Sequence, residues 1–84
     1  MKIRYTKHAK EKFADLRIFG IRVTRAHIAR VLVNPKYRSQ DNENLIKAGD
    51  FGERHNLRVV HKRTKSDIII ITFYIYRKGR YGEY

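Results

Sequence analysis

The chain has 84 residues, with 20 Lys and Arg against 8 Asp and Glu, a formal net charge of +12. That length holds a single domain, 1–84, and one modest core, and a hydrophobic fraction of 42% is enough to fill it and too high for a disordered basic tail. No cysteine is present, which excludes a disulfide framework, a Cys-type zinc site and a thiol nucleophile.

Lys2-Ile3-Arg4-Tyr5 alternates polar and apolar and predicts a short first strand. Thr6 offers an N-cap, and Ala9, Phe13 and Leu16 at i, i+4 and i+7 make one apolar stripe of a helix over roughly residues 7 to 18. Gly20 is placed to end it. Thr24 offers a second cap, and Ile28, Val31 and Leu32 predict a second helix to about Val33, closed by Asn34-Pro35 because a residue before proline is pushed out of helical geometry. Beyond it, 36–40, 45–48, 57–63 and 67–76 read as strands, 41–44 and 64–66 as turns, and 49–56 as a loop or irregular hairpin. The tail from Arg77 to Tyr84 is basic, aromatic and glycine-spaced. The order β-α-α-β-β-β-β predicts an α+β fold with both helices on one face of an antiparallel sheet. The longest apolar run of the last strand, Ile68 to Ile71, is far short of the ~20 residues of a membrane helix, and the basic start has no apolar signal segment. A cytoplasmic protein without membrane partners is therefore expected.

Alternation along the last strand puts Ile69, Ile71, Phe73 and Ile75 under the helices and Ile68, Ile70, Thr72, Tyr74 and Tyr76 on the other face. A three-residue turn at 64–66 adds Leu57 and Val59 to the apolar side and Arg58, Val60 and Lys62 to the polar one. A two- or four-residue turn would reverse this and bury Arg58 and Lys62, which is costly. The favoured register sets Arg58 near Thr72 and Tyr74.

The large positive charge calls for a polyanionic partner, RNA, DNA or an acidic protein, because phosphate neutralisation releases counterions and relieves self-repulsion. Arg58, Lys62, Tyr74 and Tyr76, with Arg77, Lys78, Arg80, Tyr81 and Tyr84 nearby, form the candidate surface: arginine grips phosphate bidentately and aromatic rings stack bases. His61, beside Lys62 and Arg63, is expected to have a lowered pKa and is a lesser candidate for a base, turned by the register toward the helix side or its rim. His8, in the first helical turn, is read as bracing helix against sheet. The acidic residues Asp15, Asp41, Glu43, Asp50, Glu53 and Asp67 are scattered, and no metal-ligand spacing, phosphate loop or nucleophile elbow occurs. No metal or other cofactor is expected.

Thr6-Lys7-His8-Ala9-Lys10-Glu11-Lys12-Phe13, then Gly20-Ile21, Ile28, Val31-Leu32 and Asn34-Pro35, then Leu57-Arg58-Val59-Val60 before an Ile-rich strand, resemble the domain-of-unknown-function 4258 family. The tail Arg77-Lys78-Gly79-Arg80-Tyr81 resembles the close of BrnT-type proteins, and both groups are similar to the RelE/ParE toxin superfamily. The chain departs from the BrnT pattern at Gly79 and in the loop 49–56. The resemblance implies a toxin-like component of a type II toxin–antitoxin system. It also implies metal-independent cleavage of mRNA, free or on the ribosome, and an acidic antitoxin that covers the basic groove. On that reading Arg58 stabilises the transition state, Arg80 binds phosphate and Tyr81 or Lys62 transfers protons, with His61 as the further candidate. Arg77, Lys78, Tyr74, Tyr76 and Tyr84 hold RNA. Two alternatives stand beside it: a non-catalytic module binding RNA or an acidic protein, and a ParE-like toxin directed at gyrase.

Overall fold

The computed structural model describes residues 2–84. β1 (Lys2–Tyr5) leads into α1 (Lys7–Ile18) and α2 (Arg25–Val33), followed by β2 (Tyr37–Asp41), β3 (Asn44–Asp50), β4 (His55–Arg63), β5 (Asp67–Arg77) and a short 3-10 turn at Arg80–Gly82. The α+β order is the expected one. Strands β2 to β5 form an antiparallel meander, with the sheet running β1-β5-β4-β3-β2. β1 differs from expectation: it pairs with β5 in parallel, so the sheet is mixed. No hairpin ties β1 to β5, and the helix pair carries the chain across one face from the β1 edge to the β2 edge. No helix among the described residues is long and apolar enough to cross a membrane.

Both helices start where their caps predict. The Thr6 hydroxyl accepts from Ala9 N at 3.1 Å. Thr24 and His27 form a reciprocal capping box: His27 N donates to Thr24 Oγ1 and Thr24 N donates to His27 Nδ1 at 2.9 Å. Ala9, Ile28, Val31 and Leu32 from the helices meet Leu57, Val59, Ile70 and Phe73 from the sheet in one core, with Phe13, Leu16 and Ile75 packed at its margin. The loop after β3 is shorter than expected: β3 continues to Asp50 and β4 begins at His55, with Phe51 N donating to His55 O at 2.9 Å.

β5 does not keep one alternation. Val60 lies opposite Thr72 and His61 opposite Ile70, so Ile71 is an extra residue, a β-bulge. Ile68 and Ile70, rather than Ile69 and Ile71, therefore join Phe73 and Ile75 beneath the helices. The pairing of Arg63 with Ile68 leaves four residues in the connection, where three were expected. Four alone would have turned Arg58 and Lys62 inward. The bulge cancels that shift, so Leu57 and Val59 stay in the core while Lys62 remains exposed. Thr6 secures the irregularity, since its hydroxyl donates to Ile71 O at 2.9 Å.

Candidate nucleic-acid interface

The sheet face away from the helices carries Asn56, Arg58 and Lys62 from β4 and Thr72, Tyr74 and Tyr76 from β5, with Arg58 directly opposite Tyr74 and Asn56 opposite Tyr76. Arg58 is its centre. Its Nη1 donates to the Tyr74 hydroxyl at 3.3 Å, and its guanidinium carbon lies 4.4 Å from the Tyr81 ring centre and 5.9 Å from that of Tyr76. Its Nε is buried with no hydrogen-bond partner among the described residues. Burial works against the charge, but the oxygens of Tyr74, Glu83 and Tyr76 outweigh it and raise the pKa, so the group stays cationic. Desolvating a cation is costly, and a ring against its face recovers about 0.5–2 kcal/mol of that.

The Tyr81 ring arrives by a chain reversal. Gly79, Tyr81 and Gly82 all take positive φ, at 97°, 61° and 70°. A left-handed conformation costs a non-glycine residue such as Tyr81 about 1–2 kcal/mol. The segment is tied down on several sides. Tyr76 donates its hydroxyl proton to the Glu83 carboxylate, Asn56 Nδ2 donates to Glu83 O at 3.4 Å, and the Tyr81 ring meets Tyr76 edge-on at 5.2 Å. Burial pushes the Tyr76 phenol far above its ordinary pKa, and the Glu83 hydrogen bond adds to this, so Tyr76 keeps its proton. Lys36 Nζ donates to Tyr84 O at 2.9 Å and to Asp50 at 3.1 Å, while Lys78 Nζ lies 2.8 Å from the same carboxylate.

The expected site residues thus divide. Arg58, Tyr74, Tyr81 and Arg80 converge, with the Arg80 guanidinium 5.6 Å from the Tyr81 ring. Lys62 shares the face but stands four residues further along β4, about 13 Å by strand geometry. Tyr76 is at the site but only 4% exposed, so it forms a wall and not a stacking platform. Arg77 follows Phe73 and Ile75 in alternation and falls on the helix side, and Lys78 is committed to Asp50. Tyr84 packs its ring over Gly79 and leaves Arg58 to Tyr81.

His61 is separated from the site. It is 1% exposed on the core side, opposite Ile70, with Nδ1 3.4 Å from Val59 O. Burial lowers its pKa, and the charges of Lys47 and Arg63 lower it further against the Val59 contact. It cannot reach a substrate at Arg58. His8 behaves as the brace expected, with Nε2 3.1 Å from the Thr72 hydroxyl at the edge of this face.

Asn56 and Glu83 were not anticipated. Alternation would have placed Asn56 beside Arg58, since it stands two positions before it on β4. Nothing local marks Glu83, whose position depends on the reversal at Gly79. No protein-family model matches the chain, and no curated protein or solved structure is significantly similar to it.

Proposed function

We propose that the Arg58 face binds RNA and cleaves it without a metal ion, as the toxin-like member of a toxin–antitoxin pair whose acidic partner covers this face. The observation that carries the reading is Arg58 itself: a partly buried cation with an unpartnered Nε, facing a phenol and a ring in a chain of net charge +12. In such a reaction the 2′-oxygen attacks the adjacent phosphorus, the P–O5′ bond breaks, and a 2′,3′-cyclic phosphate forms. Charge accumulates on the non-bridging oxygens, where a fixed guanidinium acts most strongly because it needs no reorganisation. Arg80 adds a second phosphate contact. Tyr81, at the guanidinium, is better situated than Lys62 to move a proton between the 2′-hydroxyl and the leaving oxygen.

The test is end-labelled RNA with purified protein in excess EDTA, free and on translating ribosomes. Wild type leaves 2′,3′-cyclic ends, and Arg58→Ala lowers the rate by about 10²–10³-fold. Intact RNA in both settings refutes cleavage. A salt-dependent mobility shift without cleavage supports the second reading, a binding module. One observation favours that reading: burial and the Glu83 hydrogen bond raise the pKa of Tyr76, a phenol at this face, still further above neutral pH, which suits structure better than proton transfer.

A further inference from the structure

A second concentration of positive charge lies on the helix side of the sheet, away from Arg58. Two clefts of about 330 and 240 Å³ share Arg25. The first is lined by Phe13, Arg17, Arg22, Val23, Thr24 and Arg25, the second by Ile3, Arg4, Tyr5, Lys10 and Arg25. Lys10 and Arg17 bracket Phe13 at i−3 and i+4 along α1, so they stand on one wall. Arg22 and Arg25 stand on the other, and Arg4 borders the second cleft from β1. All five side chains are exposed, and among the described residues Arg4 alone of them forms an ion pair, with Asp67 at 3.5 Å. Arg25 is held in place by stacking over the Tyr5 ring at 4.7 Å.

Like charges gathered around a groove repel one another, and folding gains nothing from the arrangement. A larger cleft of about 600 Å³ beside Lys36 and Lys78 is different, because two carboxylates, Asp50 and Glu53, line it and Asp50 pairs with both lysines. We propose that the Lys10–Arg17–Arg22–Arg25 groove binds the phosphodiester backbone of a single-stranded nucleic acid, as a second contact for the strand engaged at Arg58. Guanidinium forks suit phosphate oxygens. The aromatic floor is already spent, since Phe13 packs on Tyr5 at 5.6 Å and on Phe73 at 4.7 Å. The exposed Ile18 lines neither cleft, and the apolar residues of the first, Val23 and Phe13, are committed to the core, so cationic side chains are what the groove presents.

The inference extends the RNA reading but does not depend on Arg58. Fluorescence anisotropy of labelled single-stranded RNA, DNA of the same sequence and poly-glutamate, over a salt series, tests it. Lys10→Gln/Arg17→Gln/Arg22→Gln is expected to flatten the slope of log affinity against log salt by about 2, at about 0.7 per lost contact. Arg17→Lys/Arg22→Lys is expected to keep the slope. Loss on RNA and DNA alike identifies the shared backbone as ligand, and loss on RNA alone identifies RNA as its source. An unchanged slope, an equal loss in the lysine variant, or a loss confined to poly-glutamate overturns the proposal. In an Arg58→Ala background the groove's share of the slope persists, so failure at Arg58 and failure here are distinguishable.

Discussion

His61 shows what a single buried titratable side chain does to this protein. Its folded-state pKa is lowered, chiefly by burial, and that of His27 is lowered by burial and by Arg30. Above the unfolded histidine value both states are neutral and no stability depends on either group. As pH falls through that value, about 6.5, the unfolded chain takes up protons that the folded one refuses. Stability then falls with pH until the lower folded value is reached, by at most about 1.4 kcal/mol per unit for each histidine. Urea unfolding at pH 7.5 and 5.0 should show this loss, and His61→Leu should remove part of it and leave the His27 share. An identical pH dependence in the variant would mean that His61 is solvated. The position of His61 was readable from alternation along 57–63, which turned it inward with Leu57 and Val59. Its distance from Arg58 was not readable as long as it stood among the candidates for a base.

Between β1 and α1, one threonine joins two elements. Thr6 caps α1 through Ala9 N and fastens the β5 bulge through Ile71 O, whereas Thr24 caps only its own helix, with His27 reciprocating. Losing a cap costs about 1 kcal/mol, and losing a further hydrogen bond about 1 more. Thr6→Ala is therefore expected to cost about twice as much as Thr24→Ala in chemical denaturation. Equal costs would show that the bulge does not rely on Thr6. Both helices and all five strands were legible because caps, the Asn34-Pro35 stop and alternation are local signals. The Ile71 bulge was not, because an Ile-rich run is apolar on both faces and carries no mark of where the alternation breaks. The parallel direction of β1 was also illegible, because it is settled by contacts between the two ends of the chain.

At the scale of the whole molecule, a net charge of +12 opposes compaction. The ion pairs Arg4–Asp67, Lys36–Asp50 and Lys78–Asp50 engage three of the cations with two carboxylates. Most of the positive charge therefore lies unscreened on the surface. Raising salt from about 0.01 M to 0.1 M shortens the Debye length from about 30 to about 10 Å and weakens that repulsion. The melting temperature is accordingly expected to rise with moderate salt, the same change that would weaken the proposed nucleic-acid binding. A melting temperature that falls over this range would mean that attractive pairs outweigh the repulsion.

Composition and periodicity by themselves determined the class of fold, the two-helix layer, the excess of positive charge and the outward face of Arg58, because each follows from local spacing or from a count of charges. Tertiary structure decided which of the candidate residues meet. The reversal at Gly79 brings Tyr81 and Glu83 back to Arg58 and Tyr76, Asp50 draws in Lys36 and Lys78, and the helix hairpin closes Lys10 and Arg17 against Arg22 and Arg25. Each of these juxtapositions is fixed by backbone turns and packing that no local pattern encodes.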